Sequence, residues 1–124
     1  MKQFFSIHIL CLLCILLPAF GCRHQNRTSI SISESDTKYR IAATFNEKNT
    51  IKIDRCLNKY LTGRNNMSFM NTRIDGQLTL DDKTTFYIKK YPGFLKIEFN
   101  KENNPAYSYS EMKAFAAGLR SELK

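Results

Sequence analysis

An apolar run near the start of the chain limits how much of the sequence is left to fold. It extends over residues 4–20 and is preceded by one basic residue, Lys2. Its apolar content amounts to about 15 residues, whereas a helix needs roughly 20 to span a bilayer, and small residues follow it directly. The pattern therefore predicts a cleavable signal peptide over residues 1–21. Its removal leaves about 100 residues, which suffice for one small domain with a single core.

The end of the apolar run carries a recognisable processing signal. It reads Leu16, Leu17, Pro18, Ala19, Phe20, Gly21 and Cys22. Small residues at Ala19 and Gly21, followed at once by a cysteine, resemble the lipobox of bacterial lipoproteins. The resemblance implies that Cys22 is acylated on sulfur, becomes the mature N-terminus and holds the chain on a membrane. The alternative is an ordinary signal peptide cut near Gly21, with Cys22 following by chance.

The residues after the anchor are polar. Residues 23–36 contain no aromatic side chain and are rich in serine and threonine, so residues 22–36 are predicted to be a tether. The alternation of serine and isoleucine over residues 29–33 is also compatible with a weak strand. Arg23 and His24 directly after the anchor favour the periplasmic face of the cell membrane or of the outer membrane.

The folded domain is predicted over residues 37–124. Alternating apolar residues indicate one strand at residues 39–45 and three more at 74–80, 84–90 and 95–99. The last three are joined by short turns, a tight turn at residues 81–83 and a type II turn at Pro92 and Gly93, which makes an antiparallel meander.

Two stretches have the 3.6-residue repeat of an amphipathic helix. The apolar positions of the first are Ile53, Cys56, Leu57, Tyr60 and Leu61. Either Asn46 or Asn49 suits its N-cap and Gly63 suits its C-cap. The apolar positions of the second are Met112, Phe115, Ala116, Leu119 and Leu123, and Ser108 with Glu111 has the spacing of a capping box.

The predicted element order is β-α-β-β-β-α. Each helix has one apolar stripe and each strand one apolar face, so burial is satisfied when both helices cover one side of the sheet. The sequence therefore predicts an α+β two-layer sandwich with a four-stranded, mainly antiparallel sheet and two helices on one face.

The other face of that sheet is the candidate site. By alternation it carries five basic and two acidic side chains among threonines and one tyrosine. The residues of interest are Arg40, Arg73, Tyr87, Lys89 and Lys96, which predict a surface for an anionic partner. The alternative is an ordinary solvated antiparallel face, on which polar β-formers are usual.

Catalytic and metal chemistry is not predicted. The two histidines, His8 and His24, precede the domain, so it contains no imidazole base or ligand. Cys56 falls on the buried stripe of a helix, and Asp81 with Asp82 suits a turn. The five glycines are scattered and form no phosphate loop. We expect no enzyme activity, no metal and no cofactor.

Charge and location together suggest three functions. The chain has a formal net charge of +8, of which Lys2 contributes one. A basic domain anchored on a membrane meets envelope proteins, anionic glycans and lipid headgroups rather than nucleic acid. We therefore expect an envelope accessory or adaptor that docks on another protein. The alternatives are a binding module for an anionic glycan or lipid and an inhibitor or immunity-type protein.

Overall fold

The computed structural model describes residues 27–61 and 68–124 of the chain. Cys22, Gly63 and the predicted signal peptide lie outside these described residues. The strands are β1 (Ser29–Glu34), β2 (Lys38–Thr44), β3 (Ile74–Thr79), β4 (Thr85–Tyr91) and β5 (Phe94–Asn100); the helices are α1 (Thr50–Leu61) and α2 (Ala106–Glu122). All five strands of the described residues belong to one antiparallel sheet, in the order β1-β2-β5-β4-β3. The predicted α+β class is confirmed.

The prediction of four strands is wrong, because β1 adds a fifth within the segment assigned to the tether. It forms an antiparallel hairpin with β2, in which Ser29 lies opposite Thr44 and Glu34 lies opposite Tyr39. Ile30 and Ile32 are half-buried and pack against the core. Pairing with β2 and the burial of two isoleucines outweigh the weak strand preference of the serines. The element order is therefore β-β-α-β-β-β-α.

The segment from β2 to α1 follows the predicted pattern. Tyr39, Ile41, Ala43 and Phe45 are buried while the residues between them are not. The Asn46 side chain accepts a hydrogen bond from the Lys48 amide at 2.9 Å and caps a short 3-10 turn, Glu47–Asn49, that leads into α1. Of the two asparagines predicted for the N-cap of α1, Asn46 therefore caps the 3-10 turn, and Asn49 directly precedes the first residue of α1.

The predicted antiparallel meander over β3, β4 and β5 is confirmed. The Asp82 carboxylate accepts a hydrogen bond from the Thr84 amide at 3.0 Å, so it stabilises the β3–β4 turn. Gly93 has φ +85° in the β4–β5 turn, as a type II turn requires. An added Cβ at Gly93 would lie 3.0 Å from the Phe45 carbonyl oxygen, so a larger residue there would crowd the backbone after β2.

The start of α2 differs from the prediction. The helix begins at Ala106, and Pro105 occupies the N-cap without a side-chain cap. Ser108 lies within the first turn, is buried, and its hydroxyl is 2.6 Å from the Thr84 hydroxyl. The capping box of Ser108 and Glu111 is therefore wrong, because a partner on the sheet side takes the serine hydroxyl.

The core lies between one face of the sheet and the two helices. The predicted stripe of α2 is buried, and so is that of α1 apart from Tyr60, which is half-buried. The strands contribute Phe86, Ile88, Leu95, Ile97 and Phe99 from the same face. Both helices pack into this one cluster, which leaves the opposite sheet face uncovered by them. In the described part of the chain, neither helix has the length and apolarity needed to cross a membrane.

Candidate functional site

The uncovered side of the sheet, here called the open face, presents the polar residue of each alternating pair. Strand register arranges these residues in rows across the sheet. One row holds Ser33, Arg40, Glu98, Tyr87 and Gln77; the next holds Ser31, Ala42, Lys96, Lys89 and Asp75. The sheet therefore fixes the spacing of these side chains.

Glu98 on β5 is the centre of the charged contacts on the open face. One of its carboxylate oxygens is 3.9 Å from Arg40 Nε and 3.5 Å from Lys96 Nζ. All three side chains are at least a third exposed, so water screens these ion pairs and each stabilises the fold by less than about 1 kcal/mol. Their structural role is to hold two cations side by side.

Tyr87 and Asp75 form the second polar contact of the open face. The Tyr87 hydroxyl donates a hydrogen bond to Asp75 Oδ1 at 2.6 Å. This bond, with a smaller effect of burial and of the nearby carboxylates, raises the pKa of Tyr87 above its usual value. The phenol therefore remains a neutral donor fixed in direction.

The structure brings together four of the five predicted residues, Arg40, Tyr87, Lys89 and Lys96, around Glu98. Lys89 lies directly opposite Lys96 across β4 and β5. Two like charges in register oppose each other and are destabilising. Arg73 is exposed and stands apart, one position before β3 at the sheet edge. Cys22, the residue predicted to be acylated, lies outside the described residues.

A shallow concavity of about 200 Å³ lies at one end of the open face. Its lining includes Tyr87, Glu98 and Lys38 together with the amides Asn100 and Asn103. Polar amides and a tyrosine beside a carboxylate form hydrogen bonds with hydroxyl-rich molecules.

The β4–β5 turn at the other end of the open face carries two aromatic rings. Tyr91 and Phe94 stack with their centroids 4.7 Å apart and their planes 7° from parallel. They lie opposite each other where the two strands join. Alternation along β4 and β5 places both rings on the open face, but their position beside the predicted turn at Pro92 and Gly93 hides this in the sequence.

A second concavity, of about 280 Å³, lies between the two helices. It is lined by Lys52, Arg55, Lys59 and Cys56 of α1 and by Glu122 of α2, among others. Burial, with a smaller contribution from Glu122, raises the pKa of the Cys56 thiol from 9.0 to about 11. The thiol is thus protonated at neutral pH and is a poor nucleophile, consistent with the core position that the helix pattern predicts.

Lys90 and Asp54 form a buried ion pair that the sequence analysis missed. Lys90 Nζ is 2.8 Å from Asp54 Oδ1, and the two side chains are 2% and 1% exposed. Lys90 also donates to the Thr72 carbonyl oxygen, and the Asn71 amide donates to Asp54 Oδ2. The sequence pattern does predict that Lys90 is buried, because this residue continues the alternating series of inward residues Phe86 and Ile88. These contacts fasten the segment before β3 to α1 and β4, a structural role.

Within residues 27–61 and 68–124, no group of three or more histidine, cysteine, aspartate or glutamate side chains is placed to hold a metal ion. No family model, curated protein or solved structure matches this chain.

Proposed function

We propose that this chain is a non-enzymatic, membrane-anchored envelope adaptor that docks through its open face on an acidic surface of another protein. The anchor is the acylated Cys22 that the lipobox resemblance implies, and the domain acts on the periplasmic side. No cofactor, metal or nucleic acid takes part.

The observation that carries the proposal is the charge arrangement of the open face. Five basic residues, Lys38, Arg40, Arg73, Lys89 and Lys96, accompany two acidic ones, Asp75 and Glu98. Lys89 and Lys96 lie opposite each other across β4 and β5, and an acidic partner would stabilise two cations held side by side in this way. Arginine and tyrosine, two residue types that are enriched in protein interfaces, are both present on this face.

A second candidate function is supported by the concavity lined by Tyr87, Glu98 and asparagine amides. An anionic glycan would place hydroxyl groups on the amides and its charge beside Lys38. The two candidates differ in their response to salt, because binding of a charged polymer weakens strongly as ionic strength rises, whereas a packed protein interface largely persists.

Crosslinking in cells tests the adaptor function. The full chain is crosslinked in its own membranes, solubilised and analysed by mass spectrometry for attached protein. We expect one envelope protein in stoichiometric amount. The variant Arg40→Glu, Arg73→Glu, Lys89→Glu should lose it, because three cations become anions on the docking face.

The matched control reverses three exposed cations on the helical layer, Arg55→Glu, Lys59→Glu and Arg120→Glu. It changes the net charge by the same amount and should keep the partner. Equal capture by both variants would contradict docking through the open face. Recovery of glycan alone, lost at moderate salt, would favour the second candidate. A thermal unfolding curve for each variant separates lost binding from lost folding.

A further inference from the structure

The chain enters the fold at the end of the sheet that carries the β4–β5 turn. Ser29 begins β1 opposite Thr44, and Thr44 lies opposite Phe94. We call this region the hairpin end; it comprises residues 91–94 and the residues around the start of α1. The Gly93 amide donates to Thr50 Oγ1 at 3.2 Å, which places the first turn of α1 beside the turn.

The length of chain before β1 limits how far the hairpin end can lie from the anchor. Ser29 follows Cys22 by seven positions, a stretch that reaches at most about 25 Å when fully extended. The tether of residues 22–36 would have allowed roughly twice that distance. With Cys22 acylated, the start of β1 is therefore held close to the bilayer, and the hairpin end is the part of the domain nearest to it.

Large apolar side chains are exposed at the hairpin end. In the described residues, exposed large hydrophobics are Ile51 (43%), Tyr91 (39%) and Tyr107 (41%). Ile51 and Tyr91 both belong to the hairpin end. Tyr107 lies at the opposite end of the sheet, where its hydroxyl donates to the Asp82 carbonyl oxygen in the β3–β4 turn. Two of the three therefore face the side from which the chain arrives.

Cationic side chains accompany these apolar groups. Lys48 and Lys52 flank the start of α1, and Arg27 lies two positions before β1; all three are exposed. Glu47 is an acidic residue in the same region. Exposed tyrosine and aliphatic side chains among lysines and arginines are typical of surfaces that settle at the headgroup level of an anionic bilayer.

We infer that the hairpin end is a peripheral membrane-binding site, with Tyr91 and Ile51 entering the headgroup region of an anionic bilayer and Lys48 and Lys52 contacting lipid phosphates. The inference rests on the Cys22 anchor of the proposed function but not on its protein partner. It fixes the orientation of the domain: the hairpin end contacts the membrane, the strands run away from the membrane surface, and the β3–β4 turn lies at the end far from it.

The absence of tryptophan from the sequence permits a direct test with one reporter at a time. Tyr91→Trp and Tyr107→Trp are introduced separately into the full chain, which is then purified from membranes and reconstituted. The vesicles contain phosphatidylglycerol and brominated phosphatidylcholine, whose bromine quenches tryptophan at headgroup and upper acyl depth. We expect strong loss of fluorescence for Tyr91→Trp and little loss for Tyr107→Trp, although the two tyrosines are equally exposed.

A second pair of variants tests the role of charge. In the Tyr91→Trp chain, Lys48→Glu with Lys52→Glu should reduce the quenching, whereas Lys83→Glu with Lys113→Glu, two exposed lysines away from the hairpin end, should leave it unchanged. Equal quenching at positions 91 and 107, or none at position 91, overturns the inference. Quenching that does not respond to the Lys48 and Lys52 reversals overturns its anionic-lipid part.

The vesicles contain no other protein, so a failure of the adaptor function does not affect this result. The mass of the N-terminal peptide reports separately whether Cys22 is acylated.

Discussion

The buried ion pair of Lys90 and Asp54 connects β4 with α1. The sequence pattern predicts that the inward faces of both elements are apolar. The two charges lie in the core and satisfy each other together with the backbone of residues 71 and 72. The free energy of burying two charges is offset only while both partners are present.

Removing one partner should therefore destabilise the fold. Lys90→Met leaves the Asp54 carboxylate buried without a counter-ion, and we expect the free energy of unfolding to fall by about 3–5 kcal/mol. Urea denaturation measures the change. The double variant Lys90→Met, Asp54→Leu should recover most of the loss, and Lys89→Met, on the open face next door, should change stability by less than about 0.5 kcal/mol. A single variant as stable as the parent would contradict this role for the pair.

The pKa of Cys56 predicts how the stability of the fold and the reactivity of this thiol depend on pH. Its pKa is raised in the folded state from 9.0 to about 11, chiefly by burial. The unfolded chain therefore releases the thiol proton first, and the stability that Cys56 contributes is present below pH 9 and is lost as pH rises toward 11. We expect alkylation of Cys56 in the folded chain to accelerate only near pH 11.

The measurement is the rate of iodoacetamide labelling of the Cys56 peptide by mass spectrometry, with the urea-unfolded chain as control. The control should show the acceleration near pH 9. A folded chain with the same profile as the unfolded one would show that the thiol is not protected.

At the scale of elements, β1 is the part of the fold with the least sequence signal. Its core contacts come from Ile30 and Ile32, and its other side chains are mostly serines. Replacing both isoleucines by serine should cost about 1 kcal/mol each, because both are only half-buried. We also expect faster hydrogen exchange for the β2 amides that bond to β1. Ser31→Ala, on the open face, is the matched control and should change neither quantity; unchanged exchange in the isoleucine variant would mean that β1 adds nothing to the sheet.

The sequence was sufficient for elements with one fully buried face. In β2, β4 and β5 the inward residues are buried and strictly alternating, so period and burial agree. The same pattern does not predict β1, because this segment becomes a strand through its pairing with β2 and not through its own composition. The start of α2 was not predicted correctly because a capping box is a local pattern, whereas the Ser108 hydroxyl bonds to Thr84, which is 24 positions away.

At the scale of the whole molecule, the alternating pattern predicts which candidate residues share one face of the sheet. It does not predict which side chains on neighbouring strands contact each other. Contacts such as Tyr87 with Asp75, and Arg40 with Glu98, depend on which strands are adjacent and in what register. The sheet order sets both, and it brings β2 beside β5 although a helix and two strands separate them in sequence. The shortened connection between Cys22 and the first strand is likewise a property of the whole fold.

The position of β2 between β1 and β5 also determines the order in which the sheet can form during synthesis of the chain. The β1–β2 hairpin is local and can form early, but the second partner of β2 lies 52 positions further on, as Ala43 opposite Leu95 shows. Closing so long a loop is slow compared with forming a hairpin. Until residues 94–100 have been synthesised, β2 presents one unpaired edge, which is a site for incorrect strand pairing. Cooperative folding of the domain is thus completed only after β5 has been synthesised, and until then this edge of β2 is open to pairing with other strands.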